Sequence, residues 1–282
     1  MKRIVLAAAV SLVLSEPALA KERTGGTNMP ESVSSLSISD IQSVSPALAR
    51  YAREDVLADL WQRPLLSPRD RSIVTVATLI ARNQPAELRH YVGVALDNGV
   101  TPAEISEIIT HLAFYAGWPN AMSAIAVTKD VFAARGVTAG QLPPASPPLL
   151  PLNEEAEQLR ATTVENSIGT VSPGLVKFTT DPLFLDLWLR PGLAARDRSL
   201  VTVTSLIASG QSAQITYHLN RAMDNGLTAE AAGKSSHMRL SMPAGRMRFL
   251  HRRWLQTCCV VERNSASQPH PKSTVRPTQP GR

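Results

Sequence analysis

LWQRPLLSPRDRSIVTVATLIARNQPAELRHYVGVALDNGVT, residues 60–101, returns at residues 187–228 as LWLRPGLAARDRSLVTVTSLIASGQSAQITYHLNRAMDNGLT. The offset is constant at 127, and 22 of the 42 positions are identical. A repeat decides the architecture before any single motif does, because each copy must form the same unit and bury its apolar face against a neighbour. Two tandem copies are therefore expected, and the second is incomplete. The first continues EISEIITHLAFYAGWPNAMSAIAVTKDVF, whereas the second turns into AGKSSHMRLSMPAGRMRFLHRRWLQTCCV.

That divergence reads as a shifted frame. Codons chosen for Lys234 to Phe249 and read one base earlier, from the last base of Gly233, permit EVITHAAFYAGWPNAF. Glu107 to Met122 of the first copy is EIITHLAFYAGWPNAM, identical at 13 of 16 positions. The expectation is a one-base frame change near Gly233.

Charge supports the same reading. The chain of 282 residues carries +6, but residues 233–282 hold ten Lys/Arg and one acidic residue. Subtracting that tail's +9 from +6 leaves −3, so the body has no basic footprint for nucleic acid. Cys258 and Cys259 are the only cysteines, adjacent and in the tail, and offer neither a disulfide framework nor a metal site. At the other end, MKRIVLAAAVSLVLSEPALA has a charged start, a short apolar core and an Ala18-Leu19-Ala20 cleavage site. It reads as a signal peptide rather than a span. The expected location is outside the cytoplasm, which in a bacterium means the periplasm, with no membrane attachment after cleavage.

The body reads as helices. Ser45-Pro46 and Ser67-Pro68 each pair an N-cap with a proline at the first helical position. The first helix carries Leu48, Val56, Leu57 and Leu60 towards Trp61; the second runs through Ile73, Val74, Val76, Ala77 and Ile80. Pro85 opens a third, which Asn98-Gly99 ends. Thr101-Pro102-Ala103-Glu104 is a capping box before Ile105, Ile108, Ile109 and Leu112. Gly117-Trp118-Pro119-Asn120 interrupts, and a fifth helix reaches Ala134. The fold class is all-α. The expected order is a signal peptide (1–20), a flexible leader (21–35), a first domain (36–139), a linker with five prolines (140–152), a partial second domain (153–232) and a basic tail (233–282).

The string Gly99…Thr101…Glu104…His111…Tyr115-Ala116-Gly117…Pro119 resembles the carboxymuconolactone decarboxylase family, which shares the alkyl hydroperoxidase D-like helical bundle. The resemblance covers residues 46–135 well and 173–232 in part. It implies a homo-oligomer, a trimer or hexamer, acting without cofactor on a small-molecule substrate: decarboxylation or isomerisation of a small carboxylated lactone. The peroxidase branch of this fold bears Cys-x-x-Cys-x-x-x-His before the glycine. Here those positions are Gln84, Glu87 and Tyr91, and in the second copy Gln211, Gln214 and His218. Thiol peroxidase chemistry needs a thiolate, so both copies disfavour it. The decarboxylase branch carries Glu-Leu-x-x-His. The first copy keeps Glu87 but has Tyr91, with His90 one residue early; the second keeps His218 but has Gln214. A complete site formed between the copies or between subunits is one way to reunite the pair.

Candidate catalytic residues are accordingly Glu87, Tyr91, His111 and His218. Glu87 and Tyr91 share a helical face at i and i+4, suited to moving a proton or steadying an enolate, or else to a plain surface pair. His111, four residues before Tyr115, is either an acid–base group or a satisfied core histidine. Candidate substrate contacts are Arg71, His90, Tyr115 and Trp118. The Arg69-Asp70-Arg71 cluster, repeated as Arg196-Asp197-Arg198, suits a bond to a neighbouring helix better than a substrate clamp. No metal is expected, since no histidine has partners at ligand spacing. A non-catalytic small-molecule-binding oligomer is the other reading. Sequencing the gene across codons 226–262 is expected to show, in the frame that begins at the last base of codon 233, a second HxAFYAGWPNA helix. A frame without it would mean the tail is genuine coding sequence.

Overall fold

The computed structural model describes residues 35–62 and 66–228. The signal peptide, the leader up to residue 34, and the tail with its expected frame change lie outside the described residues. Among the described residues every regular element is a helix. The first copy contains α1 (Ile38–Val44), α2 (Pro46–Tyr51), α3 (Pro68–Ala81), α4 (Pro85–Asp97), α5 (Pro102–Tyr115) and α6 (Trp118–Ala134). The second contains α7 (Glu154–Val164), α8 (Pro173–Phe178), α9 (Ala195–Ser209) and α10 (Ser212–Asp224). The repeat maps α2 onto α8, α3 onto α9 and α4 onto α10. Among the described residues, no helix is long and apolar enough to cross a membrane.

Local chemistry sets these boundaries. The Ser67 side chain accepts the Asp70 N–H at 3.0 Å and caps α3. Thr101 and Glu104 form the reciprocal box that opens α5. Gly99 and Gly117 take φ of 86° and 96°, conformations that an L side chain would strain, and so turn the chain between α4, α5 and α6. Two features depart from the sequence reading. A short helix, α1, precedes Ser45, opened by a Ser37–Asp40 capping box. The helix expected from Ser45 to Trp61 is broken: α2 widens into a π-helical turn, Ala52–Leu57, and then a 3-10 turn, Leu60–Gln62. The second copy repeats both irregularities at Thr179–Phe184 and Leu187–Leu189. Such wide turns redirect the side chains that follow, and Trp61 and Trp188 both end up buried.

The two copies share one core. α3 is buried on every side from Asp70 to Ala81 and packs on α4, α5, α6 and α9. That accounts for its β-branched, nearly continuous apolar run, which one amphipathic face would not require. Leu200, Val201 and Val203 of α9 join Ile73, Val76 and Ile80 of α3 in a single cluster. Each such side chain contributes roughly 1.5–3 kcal/mol by leaving water. The proline-rich segment between the copies runs extended and is fastened at its end, where Leu150 N–H donates to the Leu189 carbonyl at 2.8 Å.

Polar contacts repeat across the seam. Arg69 meets Asp197 at 2.8 Å, and Arg196 meets Asp70 at 2.6 Å and 2.9 Å. This reciprocity is the signature of a two-fold interface, here inside one chain. Within each copy one further bond recurs: Asn98 donates to Ser72 at 2.9 Å, and Asn225 donates to Ser199 at the same distance. Arg69 and Arg196 thus hold the seam rather than a substrate. Asp197→Asn is expected to cost about 1–3 kcal/mol in chemical denaturation, because it removes a largely buried carboxylate that pairs with both Arg69 and Arg196, although each arginine keeps a second carboxylate. Asp130→Asn, at the exposed Arg89–Asp130 pair, should cost no more than about 0.5 kcal/mol. Equal effects would remove the seam from its structural role.

Candidate functional site between the copies

Glu107, His111 and Tyr115 recur every four residues on α5 and so form one stripe. That stripe faces the second copy. Glu107 has no solvent exposure at all. It accepts from Arg190 Nε at 3.0 Å, Arg190 Nη2 at 2.8 Å and Arg198 Nη2 at 2.7 Å. Gly192 permits the approach, since a Cβ there would stand 2.9 Å from Glu107 Cγ. Burial alone would push the Glu107 carboxyl up, but the hydrogen bonds from Arg190 and Arg198 outweigh it and hold the group below its usual range. Arg190 also donates to the carbonyls of Pro144 and Ala145, at 3.0 Å and 2.9 Å, and so ties down the inter-copy segment.

One turn on, His111 Nε2 lies 2.7 Å from Thr202 Oγ1. The Thr202 hydroxyl donates its only hydrogen to the Arg198 carbonyl, at 2.8 Å. Its oxygen therefore accepts from His111, which must carry its proton on Nε2. His111 Nδ1 is left as a buried lone pair without a hydrogen-bond partner. Burial, reinforced by Arg198, His218 and Arg221, holds His111 well below its usual pKa, so the ring is neutral.

Aromatic rings close the site. Tyr115 stacks on His111 at 4.9 Å, and Trp188 stands edge-on to His111 at 5.2 Å. Trp188 Nε1 donates to the Tyr115 hydroxyl at 3.0 Å, which leaves the phenol hydrogen available to a second acceptor. Burial raises the Tyr115 pKa and keeps it a phenol. His218 lies parallel to Trp188 at 6.1 Å and edge-on to Tyr115 at 5.3 Å. Burial and then Arg221 lower its pKa to about 4. Arg198 Nε and Nη1, His218 Nδ1 and Arg221 Nε are also buried without hydrogen-bond partners. A group of uncommitted donors, two neutral imidazoles and aromatic walls suits a small anionic organic molecule.

Three of the eight sequence candidates, His111, Tyr115 and His218, come together here. Another four lie in the first copy, two of them, Tyr91 and Arg71, against Trp61 and the other two, His90 and Glu87, about Tyr91. Tyr91 stacks on Trp61 at 6.2 Å, His90 is edge-on to Tyr91 at 5.0 Å, and the Arg71 guanidinium lies 5.9 Å from the Trp61 ring. Arg71 also donates to the Leu66 carbonyl. Glu87 accepts the Ser35 N–H at 3.0 Å, and burial followed by Glu87 raises the Tyr91 pKa. These residues line the first copy's counterpart of the Trp188 wall, with Tyr91 at the position of His218 and Arg71 at that of Arg198. The counterpart of α5 falls at residues 229–242, outside the described residues. Trp118, the eighth, stands on the surface at 62% exposure. Glu107, Trp188, Arg190, Arg198, Thr202 and Arg221 were missed as site residues. The signals available were a carboxylate inside the apolar run Ile105–Ile109 and the recurrence of Arg71 as Arg198. Among the described residues, no group of three or more His, Cys, Asp or Glu is placed to hold a metal ion.

Comparison with known proteins bears on this arrangement. The model of the carboxymuconolactone decarboxylase family matches residues 46–130 and 173–245, more than half of the chain. The 4-carboxymuconolactone decarboxylase of Acinetobacter baylyi is 38% identical over 79 residues, 28% of this chain and 59% of the relative. The nitrosuccinic acid decarboxylase npaB of Metarhizium robertsii is 39% identical over 70 residues, 25% of this chain and 49% of the relative. The chain thus spans about half to three fifths of the length of the curated relatives it matches.

Both imidazoles predict a pH effect. A buried histidine with a depressed pKa stays neutral when the unfolded chain has already taken up its proton, so stability falls as pH drops from 6.5 to about 4. Urea unfolding midpoints should fall through that window, and less steeply in His218→Gln, where His111 remains. An unchanged slope would show that His218 is not held neutral.

Proposed function

Because the chain belongs to the carboxymuconolactone decarboxylase family, we propose that it decarboxylates a small carboxylic acid, without cofactor, at the site between its two copies. The observation that carries the proposal is the buried meeting of neutral His111, Tyr115 and His218 with the uncommitted donors of Arg198. The relatives' names supply the substrate class. A carboxylated lactone and a nitro acid share one feature: an electron-withdrawing group placed to accept the pair left when CO2 departs.

The residues divide the work accordingly. Arg198 holds the reacting carboxylate by charge-assisted hydrogen bonds. As the C–C bond breaks, CO2 leaves and the electron pair moves into the conjugated carbonyl or nitro group. The free phenol hydrogen of Tyr115 is aimed at that developing charge, an arrangement that helps most where water is excluded. A solvent proton, relayed through His111 Nδ1, then takes the place of the carboxylate on carbon. The balance is R–CO2⁻ + H⁺ → R–H + CO2. The same groups serve isomerisation of a lactone, with His111 Nδ1 taking the proton first.

The test is CO2 release by the full chain from 4-carboxymuconolactone and from nitrosuccinic acid. His111→Gln is expected to lower kcat about 100- to 1,000-fold with KM little changed. Wild-type turnover in that variant would remove His111 from the chemistry, and no release from either acid would remove the activity.

A further inference from the structure

The ring contacts of His111 do not distinguish its two nitrogens. Stacking on Tyr115 at 4.9 Å and the edge of Trp188 at 5.2 Å fix the plane of the imidazole but not the place of its proton. Among the described residues its side chain has one hydrogen-bond partner, Thr202 Oγ1 at 2.7 Å. That hydroxyl gives its hydrogen to the Arg198 carbonyl at 2.8 Å. A carbonyl has no hydrogen to return, so the chain runs one way, from the His111 N–H to the Thr202 hydroxyl to the Arg198 carbonyl. Arg198 is itself anchored on Glu107 at 2.7 Å.

Thr202 has no solvent exposure and stands between Val201 and Val203, which are buried too. Valine has the same shape as threonine, and a hydroxyl is costly to bury unless it is bonded. Packing alone would therefore favour a third valine. The repeat supplies an internal comparison. Thr202 corresponds to Thr75, which is also buried and also stands between two valines, Val74 and Val76. The Thr75 hydroxyl is buried without a hydrogen-bond partner. The repeat position of His111 is Met238, whose side chain has no N–H to donate. The hydroxyl is thus satisfied in the copy that meets a histidine, and it has no use in packing that valine would not serve.

We propose that Thr202 is a positioning residue: it holds His111 as the Nε2–H tautomer and so keeps the Nδ1 lone pair open to the substrate. Thr202 touches no reacting atom and acts through His111 alone. Its effect on turnover rests on the reading of His111 as the group that moves the proton; its effect on the tautomer does not.

The experiment is nitrogen NMR of the full chain with 15N-labelled histidine, near neutral pH, with the His111 signals identified by their loss in His111→Gln. A protonated and a bare imidazole nitrogen resonate far apart, so the two shifts read the tautomer directly. The wild type is expected to be Nε2–H with a bare Nδ1. In Thr202→Val the two shifts should move towards each other, as a mixture of tautomers requires, and Thr202→Ser should restore them. Thr75→Val, the same change in the first copy, should leave them in place. With an acid that the chain decarboxylates, Thr202→Val should lower kcat about 10-fold, the scale of one buried hydrogen bond, with KM within about twofold, and Thr202→Ser should recover most of the loss. Expected tautomers without CO2 release from the wild type would keep the positioning by Thr202 and lose the proposed activity. An Nδ1–H wild type, unmoved shifts in Thr202→Val, the same movement in Thr75→Val, or an unchanged kcat in a Thr202→Val chain whose tautomer has shifted would overturn the inference.

Discussion

Glu107 is the residue on which the rest of the arrangement depends. A carboxylate with no access to water is tolerable only if its charge is met on both oxygens, and here two arginines of the other copy do so. The pairing cannot form within one copy. It demands that α5 of the first lie across α9 of the second, and that contact carries His111 to Thr202 and Tyr115 to Trp188. Arg190 extends the same network to the inter-copy segment through the Pro144 and Ala145 carbonyls. Against a hydrophobic trio of equal volume, such a cluster need not add stability. What it adds is orientation, since a slip of one helical turn would leave three charges buried alone.

The seam has two-fold logic, yet its two walls are not equivalent. Arg69–Asp197 and Arg196–Asp70 answer each other across it, and each copy repeats the same internal bond, Asn98–Ser72 in one and Asn225–Ser199 in the other. Around Trp61 and Trp188 the symmetry lapses. Tyr91 is a phenol against Trp61, where His218 is an imidazole against Trp188. The scaffold is thus common to both copies, while the walls around Trp61 and Trp188 present different rings.

Most of the scaffold was legible in the sequence because its signals are local. Ser67-Pro68, Pro85, the Thr101–Glu104 box and Gly117 each act within one turn, and each stands where its chemistry requires. The π-helical turns were not legible, since Ala52–Leu57 has ordinary helix-forming residues and its extra residue per turn is set by packing. The site was half legible for a similar reason. His111, Tyr115 and His218 were found from motif spacing. Their company was not, because Glu107 meets Arg198 across 91 residues of chain and no local pattern marks a bond of that span. The helix pair Glu87–Tyr91 drew notice through its i, i+4 spacing, but spacing alone does not say which wall of a repeated structure faces its partner.

Both walls of the site belong to one polypeptide, and the segment joining them is fastened by Arg190. In a site shared by separate subunits, the concentration of functional sites falls when the protein is diluted below its dissociation constant. Here the second wall is supplied at a fixed effective concentration set by the chain itself. Dilution cannot separate His111 from His218. The tether also frees each wall to change without changing the other, which a self-associating single copy, with one sequence serving both sides, cannot do.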